Sequence, residues 1–551
     1  MVLVNPGMKD KESPRVPLAV LLLFTVLGST LAFSPPPVFA STVHLSPACG
    51  STITEPSGTT VILTGSIGPC PGDGLLIVGA SSITLNCAGN TITGSGSDVG
   101  INLTGTTGVT VKNCHVTGFA YGFYLFGSSG NKLIGNTANS NSFIGFYLYY
   151  SSNSNTLSGN TANKGDWGFV LETNCDNNKL SGNTANQNSQ DGFDVFLSSN
   201  TNTLRGNTAD SDGTVGFYLY NSSSNTVGKN TANFDGWGII LDTTSNNNIL
   251  SGNTANKNLQ DGFELYNSSS NTLKGNTMNF NANNGFWISG SSTNLLSGNR
   301  ADGNDYGFWL TSSSSNTLTK NTANSNYAGF GIYYSSSNTV SKNTANGNDY
   351  GFWLVSSSSN TLSKNTADLN DYGISLAGSS DSNTLSGNTA NYNNHVGFNL
   401  SSSSSNTLSG NKANYNRQGF LVDQFSSNTF TGNTANSNKD YGFWLTSSSG
   451  NTLSKNTANY NYRGFILTDS SGNTLSGNKA SHNVENGFSL NAGSSSNTLT
   501  KNAASANEYY GYRDDSTGSG TQGTANAYTS NTCSGNGFGG SSPSGLGSPQ
   551  L

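Results

Sequence analysis

The sequence predicts an all-β fold, a parallel β-solenoid with three short strands per coil and about 18–20 coils of 22–24 residues. Three observations carry that prediction. First, the motif N-x-(Leu/Val/Phe) recurs with its asparagine at 131, 155, 178, 202, 225, 248, 271, 294, 316, 338, 360, 383, 406, 428, 451, 473 and 497, always 22–24 residues apart. Second, each unit, such as SSSSNTLTKNTANSNYAGFGIYY at 312–334, holds three strand-like pieces (NTL, NTA and GFxL) between Ser, Asn and Gly, the turn residues. Third, the GFxL pieces align into columns. The residue after the glycine is Phe or Ile in every unit from Phe123 to Phe488, and two residues on it is Leu, Ile or Val. Side chains two apart in a strand share a face, so these columns form two interior stacks.

Composition agrees. The chain of 551 residues is only 9% charged and 33% apolar, yet 10% aromatic, too aromatic for a disordered low-complexity chain. A leucine-rich repeat of similar period needs several leucines and often a helical return. Here each unit has about two large apolar residues and no helix-forming stretch. A net charge of −6 and a pI near 5.2 leave no basic footprint for nucleic acid.

Taken from the N-terminus, residues 1–40 read as a signal peptide. Lys9, Lys11 and Arg15 precede the apolar run LAVLLLFTVLG, and PPPVFA supplies small residues before a cut after Ala40. An uncleaved anchor is the alternative; after cleavage no membrane span is expected. The destination is then secreted, periplasmic or cell-surface, and six cysteines suit such an oxidising place. Residues 41–80 are expected to cap the first coil, with Cys49 paired to Cys70 and Cys87 to Cys114, although four cysteines allow three pairings. Cys175 and Cys533 are left over by that scheme. Residues 81–515 carry the repeats. Within them a polar column, Asn136 to Asn502, is expected to form an amide ladder between coils. At about 4.8 Å per coil the stack is roughly 90 Å long. Residues 516–551 are expected to be a C-terminal cap and a Gly/Ser-rich tail.

The repeat N-x-L-x-x-N-x-A-x-x-N…GFxL resembles the right-handed parallel β-helix repeats of the NosD-like group, within the pectin-lyase-like superfamily. The lead-in ITLNCAGNTITG…GINLTGTTGVTVKNCHVTGFAYGFYL at 83–125 resembles the first coils of that group, and the likeness extends over about residues 81–512. It implies a right-handed coil. The NosD name also implies a copper-maturation accessory. Copper(I) favours Cys, Met and His, whereas the mature chain offers only Met278 and the scattered His44, His115, His395 and His482. The clustered Asp and basic residues that mark pectin-active relatives are missing too, as is the nonapeptide calcium pattern. No cofactor is expected, copper and calcium being the alternatives.

The residue between Phe and Leu in GFxL is expected to face water. That column contains Tyr124, Tyr147, Tyr218, Trp287, Trp309, Trp353 and Trp444, and the next outward position adds Phe126, Tyr149, Phe196, Tyr220, Tyr266 and Tyr333. An aromatic strip of that extent marks a contact surface. Binding of an extracellular or cell-surface polysaccharide is the favoured use, against a protein partner or plain strand packing. The carboxylates Glu172 and Asp194, and again Asp242 and Glu264, fall in adjacent coils with a two-residue offset. Such diagonal neighbours lie about 7–8 Å apart, near the separation of an inverting glycosidase pair. No His or Arg shares their columns, and on an open face burial raises neither pKa, so they are expected to be solvated acids. The sequence therefore favours a non-catalytic glycan-binding protein. A polysaccharide lyase or glycoside hydrolase is the alternative; a structural or adhesive surface rod and the copper accessory follow. Oligomeric state is not legible.

Overall fold

Asparagine, serine and glycine turn the chain at every corner, and the short runs between them are just long enough to pair with the coil above and the coil below. A computed structural model describes residues 41–46, 48–424 and 427–548; the signal segment expected over 1–40 lies outside the described residues. The chain winds as a right-handed parallel β-helix of about 20 turns. Each GFxL segment forms a strand of up to six residues, such as Tyr306–Thr311, and each NTL segment one of three, such as Thr317–Thr319. Both kinds stack in parallel register into sheets of 22 strands among the described residues. Phe308 pairs with Phe330 and Trp309 with Gly331, one coil on. The NTA segments pair as short strands near both ends and as single parallel bridges between, such as Thr322 with Thr344.

The interior is ordered by residue type. Phe286, Phe308 and Phe330 stack at 4.7 and 4.8 Å, each pair within 4° of parallel, and the Leu and Ala columns fill the remaining space. The glycine before each phenylalanine is dictated by that packing. A Cβ at Gly307 would come within 2.6 Å of the Ala323 Cβ and 2.7 Å of the Gly329 carbonyl oxygen.

Polar ladders close the corners, and there are more of them than the sequence suggested. Asn321 Nδ2 donates back to the Leu296 carbonyl at 3.0 Å and forward to Asn343 Oδ1 at 3.1 Å, while its backbone N–H donates to the same Oδ1 at 2.8 Å. The column of Asn316 and that of Asn326 repeat the scheme. Each amide thereby satisfies buried backbone groups that the turns would otherwise leave without partners. A serine column does the same: the Ser313 N–H donates to Ser335 Oγ at 2.9 Å. Cys175 occupies that serine column. Its N–H donates to Ser199 Oγ, and its thiol, pushed up to about 12 by burial, donates to the Leu148 and Glu172 carbonyls.

The ladder starts ahead of residue 81 and runs past 515. Thr42–Leu45 pairs with Thr60–Leu63, and disulfides join Cys49 to Cys70 and Cys87 to Cys114. At the other end Ala527–Thr529, Thr532–Ser534 and Gly539–Ser542 extend the three sheets. Tyr512 ends the phenylalanine stack at 5.0 Å from Phe488, its hydroxyl donating to the Asn502 carbonyl. Among the described residues no helix is long and apolar enough to cross a membrane.

Candidate functional site

The outer surface of the GFxL sheet is where residue identity varies from coil to coil. Three columns build it: the residue that opens each strand, the one between Phe and Leu, and the one that closes the strand. The sequence reading placed the middle column in water, and the structure corrects this. Tyr124, Tyr147, Tyr218, Trp287, Trp309, Trp353 and Trp444 are all half-buried. Rings from the opening column, which the sequence reading did not single out, lie against them. Tyr350 stacks on Trp353 at 4.3 Å, Tyr306 on Trp309 at 5.1 Å and Tyr121 on Tyr147 at 5.8 Å, all within 20° of parallel. Trp287 and Trp309 also stack, at 5.8 Å. Gly331 makes room for this layer, since a Cβ there would meet the Tyr306 ring at 2.9 Å. The physical reason is simple: a large apolar ring on a sheet gains more by lying on its neighbours than by standing in solvent. The signal was present in the sequence as the Tyr of DYGFWL, three residues before the Trp.

Three hollows interrupt the layer. One, of about 280 Å³, lies among Tyr121, Tyr124, Tyr147 and Tyr149. A second, of about 300 Å³, is lined by Tyr372, His395, Arg417, Gln418, Asp423 and Trp444. A third, of about 490 Å³, is lined by Arg463, Asp469, Asn486, Ser489, Arg513 and Asp515. Of these the sequence reading singled out Tyr124, Tyr147, Tyr149 and Trp444 as outward aromatics, and His395 only as one of four scattered histidines. The rest are spread over coils that look ordinary in one dimension. A separate column of exposed rings at a corner, including Phe234, Phe280, Tyr392, Tyr415 and Tyr460, also escaped it.

The carboxylates depart furthest from expectation. Asp194 and Glu264 are not solvated acids on an open face. Glu172 accepts the Tyr147 hydroxyl at 2.6 Å, and Asp242 accepts the Tyr218 hydroxyl at 2.9 Å. Asp194 is 1% exposed, and no N–H or hydroxyl reaches either of its oxygens. It faces the Asp191 carboxyl, which accepts the Val215 N–H at 2.8 Å and Trp167 Nε1 at 3.3 Å. Burial first, then the nearby Asp191 charge, push Asp194 well above the usual carboxylate range. Glu264 is pushed up to about 7 by burial and then by Asp261 and Asp242.

Two further aspartates, Asp212 and Asp235, stand in the asparagine ladder. Asp212 Oδ1 accepts from the Asn188 N–H and Nδ2, and Asp235 Oδ1 accepts the Asp212 N–H, as asparagine oxygens do in other coils. Their Oδ2 atoms have no partner. Asp212 Oδ2 lies 2.7 Å from the Cβ position of Gly192, just as Asn326 Nδ2 lies 3.1 Å from that of Gly307. A carboxyl there replaces an amide only when protonated, and burial pushes the two up to about 8 and about 9.

Donors for copper are not assembled. Met278 is buried in the Ala column, His395 lies against Tyr372, His482 against Tyr460, and Cys87 and Cys114 are bonded to each other. Among the described residues no three His, Cys, Asp or Glu side chains are placed to share a metal ion. The residues present do not fit a copper site.

Comparison with known proteins gives the following. The family model of the right handed beta helix region matches residues 54–209 and 215–367, and that of the periplasmic copper-binding protein (NosD) matches 309–437 and 390–540. No curated protein matches by sequence. Among solved structures, the A-module of mannuronan C-5 epimerase AlgE6 from Azotobacter vinelandii is similar at 15% identity, with a TM-score of 0.32, covering 67% of this chain and 87% of that one. The catalytic unit of a GH87 alpha-1,3-glucanase from Streptomyces thermodiastaticus is 13% identical, with a TM-score of 0.33 and coverage of 53% and 59%. A mutant tailspike protein of E. coli bacteriophage HK620, in complex with a pentasaccharide, is 13% identical, with a TM-score of 0.35 and coverage of 65% and 69%.

Proposed function

The chain belongs to the right-handed parallel β-helix family, with NosD-like repeats, and from that premise we propose that the outer face of its GFxL sheet binds an extended polysaccharide without cleaving it. The observation that carries this reading is the rings packed on one another over that face, around Tyr121 and Tyr147 and again from Trp287 to Trp353, beside hollows large enough to seat sugar units. Aromatic faces receive the C–H faces of sugar rings, and a layer already ordered by ring stacking loses little freedom on binding. The two disulfides are consistent with export, and the glycan is extracellular or on a cell surface. Catalysis is not part of this reading, because Asp194 is sealed beneath the layer and Glu172 and Asp242 are held by tyrosine hydroxyls.

A second reading, cleavage of the bound glycan, draws on one observation. Glu264 is half-buried beside Trp287, with its carboxyl pushed up to about 7, where a general acid works well at neutral pH. Tryptophan fluorescence titration against a panel of soluble polysaccharides tests the first reading. A saturable change, lost in Trp309→Ala and Trp353→Ala with the fold intact by circular dichroism, is expected, with no new chain ends. New chain ends that vanish in Glu264→Gln move the protein to the second reading. A flat response across the panel removes both.

A further inference from the structure

The largest of the three hollows has a floor unlike the rest of the sheet. Asn486 stands in the opening column, two residues before the strand Phe488–Leu490, and is 1% exposed; Ser489 sits in the middle column and is 4% exposed. Asn486 Oδ1 accepts the Tyr510 N–H at 3.0 Å, but Asn486 Nδ2 and Ser489 Oγ have no hydrogen-bond partner. The same residue types in the same columns elsewhere are satisfied. Asn284 Nδ2 donates to Asp261 Oδ1 at 2.7 Å, and Ser375 Oγ accepts from Asn399 Nδ2 at 3.2 Å. A buried donor left without a partner is costly, and two together beneath a hollow of about 490 Å³ indicate a ligand that supplies the missing groups.

The walls say what kind. Arg463 spends its Nε on Glu485 and Arg513 its Nε on Asp515, so each guanidinium is held in place with its Nη groups left over. Asp469 lines the same hollow. Two arginines against three carboxylates leave no positive excess to draw an anion. Donors and acceptors line it together instead: the two guanidinium groups, Asn486, Ser489 and the carboxylates of Asp469 and Asp515. That mixture suits the hydroxyls of a sugar ring, each of which both gives and accepts a hydrogen bond. The hollow also lies in line with the aromatic layer. Ser489 is two coils beyond Trp444, about 10 Å along the stack.

We infer that this hollow is a sugar subsite at the C-terminal end of the face, taking a neutral polyhydroxylated unit of the glycan through adjacent hydroxyls. It rests on the glycan-binding reading above and names the ligand class for its last position.

The test uses the full chain and isothermal titration with neutral oligosaccharides (cello-, malto- and manno-oligomers of two to eight units) and matched oligogalacturonates. Because its hydroxyl has no partner, Ser489→Ala is expected to leave the thermal midpoint unchanged or raised while weakening neutral oligosaccharides at least tenfold; Arg513→Gln weakens them similarly. Trp309→Ala is expected to weaken only oligomers long enough to reach the central layer. Neutral binding that Ser489→Ala and Arg513→Gln leave intact, but Trp309→Ala abolishes, overturns the subsite and keeps the face. Binding of oligogalacturonates in preference to neutral chains overturns the ligand class. Loss of the subsite by Ser489→Ala with no effect of Trp309→Ala at any length supports the subsite and removes the extended face. Absence of binding throughout overturns both.

Discussion

Two stretches of the GFxL sheet share one backbone and differ in what covers it. From Phe193–Phe196 to Phe263–Tyr266 the outward columns hold Asp191, Asp194, Asp242, Asp261 and Glu264 among the rings of Phe196, Tyr218, Tyr220, Trp237 and Tyr266; from Asn284–Ser289 to Tyr350–Val355 they hold Trp287, Tyr306, Trp309, Tyr333, Tyr350 and Trp353 and no carboxylate. Beneath both, interior rings stack at 4.7 Å, Phe193 with Phe217 and Phe286 with Phe308, although Ile239 follows Phe217 in the column and Phe263 meets Phe286 at 5.7 Å, tilted by 38°. The coil geometry therefore does not choose the outer layer. One stretch mixes buried carboxyls with a few edge-on rings, such as Phe196 against Tyr218 at 5.3 Å; the other is covered by ring against ring. A rod whose stability comes from neighbouring coils can carry both, because each coil answers only to the next.

The largest effect expected is one that should not distinguish the stretches. Phe217→Ala and Phe308→Ala each remove a fully buried ring from the same stack, and each should cost about 3–5 kcal/mol, read from urea unfolding. Equal losses confirm that the difference is confined to the surface. A markedly smaller loss at Phe217 would mean that the acidic stretch is already loosened inside.

Next comes the proton dependence of the acidic stretch. Asp212 and Asp235 have folded pKa values raised to about 8 and about 9, above that of a free aspartate. Unfolded chains ionise first as pH rises, so the stability these groups allow is full below about pH 4 and is lost progressively until the folded carboxyls ionise near pH 8–9. Asp212→Asn and Asp235→Asn restore the missing donors and should each gain about 1–3 kcal/mol at pH 8, flattening the decline seen by urea unfolding between pH 5 and pH 9. The reverse change, Asn304→Asp, should bring the same alkaline weakness into the tryptophan stretch. A wild type equally stable at pH 5 and pH 9 would break this half of the comparison.

Ring packing supplies a smaller term. The Tyr350–Trp353 pair, stacked at 4.3 Å, should show a coupling of about 0.5–1.5 kcal/mol in a double-mutant cycle. The matching positions Trp237 and Ile240 of the acidic stretch form no ring pair and should be nearly additive. Coupling at both sites would mean that the layer is general to the sheet.

Much of the fold was legible in one dimension. The 22–24 spacing, the Phe and Leu columns and the Asn136 column are all set by nearest-neighbour rules that repeat without exception. The site was less so. Outward direction follows from strand alternation, but exposure does not: whether Trp309 stands in water depends on Tyr306, three residues earlier, and on Gly331, a coil later. The carboxylates were misread for the same reason. Asp212 and Asp235 sit in register with asparagines, a signal that the ladder columns held and that only matters once Oδ2 is seen to be buried. The hollow above Ser489 had no signal at all, since serine is common in this chain and its distinction is a missing partner.

The smallest expected effect lies at the border of the two stretches, where Glu264 pairs in register with Trp287. Burial, Asp261 and Asp242 push the Glu264 carboxyl up to about 7, so it is protonated below that pH and ionised above it. Ionisation places a charge beside an indole that is half-buried and stacked on Trp309, and indole emission responds to a nearby charge. The wild-type emission should therefore titrate with an apparent midpoint near 7, a change that both Glu264→Gln and Trp287→Phe abolish. Asp261→Asn should move the midpoint down, because the raising charge is gone while the burial remains. If the midpoint stays put in Asp261→Asn, burial and Asp242 set it, and Asp261 does not act on the border residue. If no titration occurs, Glu264 is solvated, and the protonated layer ends at Asp235.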